Sequence, residues 1–182
     1  MTNKQIIKKY GGKVVAFKDM PKPYQMAIAW YMAVDGEAWD IFYSAPDNNV
    51  SYEKHTKALR AWMSRNMDLY VSRYGKKKFG MLTVPMADFA RLAYEYSVTA
   101  HSDLFEVEYI KSFEDYHKWY MKQSKGEFKL HTETTWPGIL NDFEKDESGI
   151  LQDGWHRFNT YYKKGLKKMP LVYYPYQRRL IW

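Results

Sequence analysis

Five consecutive residues near the carboxyl end, Asp153-Gly154-Trp155-His156-Arg157, combine types that suit anion chemistry. An imidazole and a guanidinium follow a glycine that lets a ligand approach the backbone closely. The residues after them read as a helix, so both basic groups fall in its first turn. Unpaired backbone N–H groups and the helix dipole favour negative charge there. Gly154, Trp155, His156 and Arg157 are therefore candidates for a phosphate cradle. If a bound phosphate also reacted, His156 and Arg157 would face the developing negative charge. Asp153 would be the nearest carboxylate to act as general base or to meet Mg2+. Its plainer role is to shape the turn by side-chain to backbone bonding, since Asp-Gly turns are common.

Other chemical candidates are weaker. The run "NDFEKDES" places Asp142, Glu144, Asp146 and Glu147 just upstream, as a solvated connection from which one carboxylate could reach the same place. His131-Thr132-Glu133 has the His-x-Glu spacing of zinc deaminases, but the chain has no Cys to complete that ligand set. The same lack excludes disulfides, thiol catalysis and Cys-ligated zinc. No HExxH helix, phosphate-binding glycine loop of the Walker type or nucleophile-elbow serine occurs, and no metal site is predicted. His55 and His101 are scattered, and His117 falls on the apolar side of a helix, as a core residue.

The elements that must position these groups follow from periodicity and breakers. Lys13 to Lys18 is apolar and β-branched enough for a strand, and "DMPKP" breaks it before a helix from Tyr24 to Val34 that leaves near Gly36. Met26, Ala29, Trp30, Ala33 and Val34 share a face of that helix. A single longer helix is expected from Tyr52 to Tyr74, with Leu59, Trp62, Met63, Asn66, Met67, Tyr70 and Tyr74 at helical spacing and Gly75 at its end. From Phe79 strands and helices alternate: "FGMLTV" as strand, then "PMADFARLAYEYS" as helix with Met86, Phe89, Ala90 and Ala93 inward. "LFEVEYI" reads as strand, and "SFEDYHKWYMKQS" as helix with Ser112 as N-cap and Phe113, Tyr116, His117 and Tyr120 inward. "EFKLHTETTW", "PGIL" and "GILQ" are extended. A helix from Trp155 to Lys164, closed by Gly165, precedes the strand "MPLVYYP". Such alternation predicts an α/β (α+β) arrangement: a small mixed sheet flanked by helices over residues 79–182, with residues 1–78 as a mostly helical extension packed on it.

The length of 182 residues suits one unit, and 46% hydrophobic with 27% charged residues is a globular composition. Seventeen Tyr, nine Phe and seven Trp exceed the needs of such a core, which implies exposed rings and a partner. The formal charge of +7 favours polyanions. Arg60, Arg73, Lys76, Lys77 and Lys78 supply a basic surface for nucleic acid, although a lysine run at a helix end is most often a solvated terminus. No signal peptide and no run of about 18 apolar residues is present, so no membrane partner and a cytoplasmic location are expected.

The stretch "LQDGWHRFNTYYKKGLKKMPLVYY" resembles the carboxyl-terminal motif region of the ParB/sulfiredoxin-like superfamily. There a strand leads through a Gly-containing turn into a His-Arg or Arg-Arg helix start, and a Pro-led strand follows. Gly154, His156 and Arg157 match the second Gly, the His and the Arg of the sulfiredoxin Gly-Gly-Cys-His-Arg motif, a segment that holds nucleotide phosphates in that family. "FGMLTVPMADF" looks like the opening strand and helix of such a domain. Trp155 stands where sulfiredoxins have the catalytic Cys, so sulfinic-acid reduction is excluded. The Gly-Glu-Arg-Arg pattern of ParB proteins is incomplete, and no helix-turn-helix domain follows.

Two functions follow. One is a nucleotide- or phosphate-binding protein that takes a nucleoside triphosphate or diphosphate, with Mg2+ as companion, and hydrolyses it or transfers a phosphoryl group. The other is a non-enzymatic binder of the kind carried by phages and plasmids. It would engage DNA, RNA or a host nucleoprotein through the basic helix and the Tyr-rich tail, as an anti-restriction or anti-CRISPR inhibitor does.

Overall fold

The computed structural model describes residues 3–34, 52–95, 110–123, 136–140 and 150–175. Helix α1 (Asn3–Tyr10) leads into strand β1 (Lys13–Ala16) and a 3-10 turn, Phe17–Asp19. Helices α2 (Lys22–Val34), α3 (Tyr52–Arg65) and α4 (Met67–Tyr74) follow, then β2 (Lys78–Pro85), α5 (Met86–Ala93) and α6 (Phe113–Gln123). The last elements are β3 (Gly138–Leu140), β4 (Leu151–Asp153), α7 (Trp155–Lys163) and β5 (Lys168–Tyr173). The strands form one sheet in the order β1-β2-β5-β3-β4. β3 runs parallel to β5, and the other neighbours are antiparallel. The chain thus adopts the expected α/β class, a small mixed sheet flanked by helices.

Strand alternation divides the core in two. Leu82 and Val84 of β2, Leu140 of β3 and Met169, Leu171 and Tyr173 of β5 share one face, under Phe89 of α5, Phe113 of α6 and Phe158 and Tyr161 of α7. Phe79, Ile139 and Val172 point the other way, against Met26 and Trp30 of α2, Leu59 and Met63 of α3, and Met67 and Tyr70 of α4. Residues 3–78 therefore do two things. They supply β1 and the buried Ile6 of α1 to the sheet and its first face, and they cover the second face with α2, α3 and α4. β2 already begins at Lys78.

One expectation needs correction: the single helix from Tyr52 to Tyr74 is two helices, broken at Asn66. Its backbone leaves the helical region, with φ −109 and ψ 24. Both its N–H and its Nδ2 donate to the Trp62 carbonyl, each at 2.9 Å. The Asn66 carbonyl is then taken by Leu69 N–H at 3.0 Å, three residues on, as α4 begins. Helix α1 has no counterpart among the predicted elements, because eight residues are too few for an apolar period to stand out.

Ser112 acts as the expected N-cap. Its Oγ accepts from Asp115 N–H at 3.2 Å, while the Asp115 carboxylate accepts from the Ser112 hydroxyl at 2.9 Å and from Lys111 N–H at 3.2 Å. At the other end of α7, Gly165 takes φ 71, and Leu166 N–H donates to the Tyr161 carbonyl at 3.1 Å, closing the helix as a left-handed glycine does. The Gly36 helix exit and the expected strands "LFEVEYI", before Ile110, and "EFKLHTETTW", before Trp136, lie outside the described residues.

Candidate functional site

The turn from β4 into α7 is built by two glycines that approach each other. Gly154 is the N-cap of α7 with φ 105 and ψ 17, a left-handed conformation that favours glycine. A side-chain carbon on Gly154 would lie 2.9 Å from the Gly138 Cα at the start of β3, so the contact also requires glycine. Gly138 is crowded in turn, since a carbon there would meet Met169 Cε at 2.8 Å and Leu151 Cδ2 at 3.0 Å. Having no side chain, Gly154 makes no capping bond, and the first turn of α7 holds no acidic residue. The partial positive charge of the helix start is therefore not offset by a carboxylate on that turn.

Asp153, Gly154, Trp155, His156 and Arg157 are together at this turn, but they do not point the same way. Arg157 is turned inward rather than forward. Only 2% of the residue is exposed, and its Nη2 donates to Asp153 Oδ2 at 2.6 Å, one turn back. Its guanidinium also lies 5.7 Å from the Trp136 ring. The Nη2 and Nε atoms pack beneath the turn, 3.0 and 3.3 Å from where a Gly154 side-chain carbon would sit. Nε is buried with no hydrogen-bond partner among the described residues. Trp155 is half-buried, and its Nε1 donates back to the Leu151 carbonyl at 3.2 Å. Its ring lies edge-on to Tyr116 and Phe158, so the backbone of Trp155, not its indole, belongs to the helix start.

Two polar rungs join α6 to α7, and sequence reasoning did not assign them to the site. Tyr120 Oη lies 3.1 Å from His156 Nδ1, and His117 Nδ1 lies 2.7 Å from Asn159 Oδ1. Asn159 Nδ2 already donates to the Trp155 carbonyl at 2.9 Å, which leaves Oδ1 as acceptor and His117 Nδ1 as donor. The signal was present as spacing: His117 and Tyr120 are three apart on one helix, His156 and Asn159 three apart on the next. Glu114 adds a third link by accepting from Tyr162 Oη at 2.9 Å. Its own backbone N–H first, then that hydroxyl, hold its carboxyl below the ordinary range. Burial pushes the Tyr116 hydroxyl well above its ordinary value.

Trp136 was also missed. Tyr161 Oη donates to its carbonyl at 2.6 Å, which ties the approach to β3 onto α7. Its ring meets a second guanidinium, Arg60, at 4.8 Å, and Arg60 also lies 5.2 Å from the Trp30 ring. Arg60 was expected on the basic surface of its helix; it is half-buried between two indoles instead. Arg73, Lys76 and Lys78 are exposed and Lys77 is half-buried, all at the turn from α4 into β2. Among the described residues no three His, Asp or Glu come together as metal ligands, and no helix is long and apolar enough to cross a membrane. Asp142, Glu144, Asp146, Glu147, His131 and Glu133 lie outside the described residues. No protein-family model, curated protein or solved structure matches the chain, so what the site does must be argued from its own geometry.

Proposed function

We propose that this chain is a ParB/sulfiredoxin-like protein that binds a nucleoside triphosphate or diphosphate by its phosphates at the start of α7. The observation that carries the reading is the convergence of two kinds of donor at Gly154. The helix start has no side-chain cap, and the buried Arg157 guanidinium, whose Nε meets no partner among the described residues, packs against Gly154. Oriented N–H groups at a helix start suit an anion. His156 is half-buried in the first turn, with Tyr120 Oη 3.1 Å from its Nδ1, which places an imidazole beside the helix start. Mg2+ would arrive with the phosphates.

Binding is favoured over reaction. Of the three catalytic candidates, Arg157 and Asp153 are engaged with each other, and Asp153 would serve as a base only after release. Hydrolysis or phosphoryl transfer would leave His156 as the group closest to the developing charge, with positioning as the main source of rate.

Calorimetric titration with ATP, CTP, GTP and their diphosphates, each with Mg2+, tests the reading. Saturable binding is expected, weakened at least tenfold by His156→Ala, the loss of about one charge-assisted hydrogen bond. Arg157→Lys, which keeps the charge but not the fork, should weaken it as well. Absence of heat with every nucleotide, or unchanged affinity in a folded His156→Ala protein, would overturn it.

A further inference from the structure

A second anion surface forms at the turn from α4 into β2, where the fold joins cations from two separated stretches of chain. Arg73, Lys76, Lys77 and Lys78 surround the turn from α4 into β2. The 3-10 turn after β1 brings Lys18 to them: Lys18 N–H donates to the Gly75 carbonyl at 3.2 Å and Phe17 N–H to the Lys77 carbonyl at 2.8 Å. Lys18 Cβ lies 3.4 Å from the position of a side-chain carbon on Gly75. Lys18, Arg73, Lys76 and Lys78 are exposed. The Arg73 guanidinium and the Lys77 ammonium lie 5.4 and 5.0 Å from the ring of the buried Tyr74, which fixes their stems. Among the described residues none of the five forms an ion pair, whereas Lys9 and Arg91 pair with Asp88 and Glu95. Asp19 is the carboxylate next along the chain.

We infer that this patch contacts the phosphate backbone of duplex nucleic acid without reading its sequence. Five like charges gathered at one turn repel one another, and a polyanion relieves that repulsion while releasing counterions. The rings on the turn itself are buried, Tyr74 at 4% and Phe79 at 3% exposed, so neither offers an open face for unpaired bases to stack on, and Tyr174, edge-on to Phe79 at 5.7 Å, is half-buried. The same burial keeps Tyr74 and Phe79 from anchoring in a bilayer. Phosphates spaced along a duplex are the ligand that needs charge alone. The surface shares no residue with the site at α7, so the variants of one leave the residues of the other in place.

Fluorescence anisotropy of the full chain with a short labelled duplex over a salt series tests this. Binding should fall steeply with salt. Lys18→Gln with Lys76→Gln should weaken it about tenfold at low salt and flatten the log–log slope by about 1.8, the share of two phosphate contacts. Lys167→Gln with Lys168→Gln removes the same charge at the far end of β2, where Lys168 is opposite Pro85, roughly 23 Å along the strand from Lys78. That pair should change the slope little. Equal effects of the two double variants, no duplex binding at low salt, or tighter binding to anionic lipid vesicles than to the duplex would each overturn the inference.

Discussion

Arg157 Nη2 lies 2.6 Å from Asp153 Oδ2, with 3% of the arginine side chain exposed and 29% of the aspartate. The pair spans one turn across the start of α7, so the carboxylate just before the helix neutralises the cation beneath it. Burying a guanidinium is costly unless it is paired, and here its remaining Nε donor is already unmet among the described residues. The turn is therefore held by a charge contact with little redundancy.

Asp153→Ala should destabilise the protein by roughly 3 kcal/mol, the lower part of the range for a broken buried pair because the aspartate still meets solvent. Adding Arg157→Met should recover part of that loss, since a buried apolar chain replaces an unpaired charge. Urea denaturation of the two single variants and the double variant checks this; strict additivity would mean that the two groups do not couple.

Gly154→Ala should cost more than Gly165→Ala. Both glycines have positive φ, 105 and 71, but a carbon on Gly165 meets nothing within 4 Å while one on Gly154 presses on Gly138. Backbone strain alone accounts for about 1 kcal/mol at Gly165. A loss of about 2–4 kcal/mol is expected at Gly154, where the close approach is added. Thermal melts of the two variants give the difference directly.

Ser112→Ala should cost about 1 kcal/mol, as loss of an N-cap does. The Ser112 hydroxyl first, then Lys111 N–H, hold the Asp115 carboxyl below its ordinary value. A carboxyl depressed in this way stabilises the fold above its unfolded value and ceases to do so as pH falls through its folded value. The gap between wild type and Ser112→Ala should therefore shrink under acid conditions, and Asp115, followed by NMR titration, should move up toward the ordinary carboxylate range in the variant.

Tyr70→Phe should leave stability at neutral pH unchanged or higher. The Tyr70 hydroxyl is fully buried and has no hydrogen-bond partner among the described residues. Burial first, then Tyr74, push it up to about 12 from 10.0. The folded state holds this proton more tightly than the unfolded chain, so the contribution is complete below pH 10 and lost as pH rises from about 10 to about 12. Tyr70→Phe should flatten that alkaline decline; denaturation at neutral and alkaline pH would show it. A loss of more than about 1 kcal/mol at neutral pH would mean that the hydroxyl has a partner after all.

Much of the fold was legible because periodicity and breakers report local choices. The strands from Lys78 and Lys168, the helix from Trp155 and the Ser112 cap all follow from them. The break at Asn66 was not, because a helical apolar spacing runs straight through it and the change lies in the dihedral angles of one residue. At the candidate site, the glycine turn could be read from "DGWHR". The direction of Arg157 could not, since it depends on Trp136 and Gly138, some twenty residues upstream and placed beside the turn by the pairing of β3 with β4. Arg60 failed for the same reason: a charged residue at helical spacing looks solvated until an indole from another segment covers it.

Trp136 gives the molecule an internal optical gauge. Only 5% exposed, it lies against Arg157 from the helices on one side of the sheet and Arg60 from those on the other. A guanidinium drawn toward an anion at α7 would alter the electric field at that ring, and indole emission responds to such a change. With Trp136→Phe as the blank among seven tryptophans, the difference spectrum would report occupancy of the turn without any attached dye.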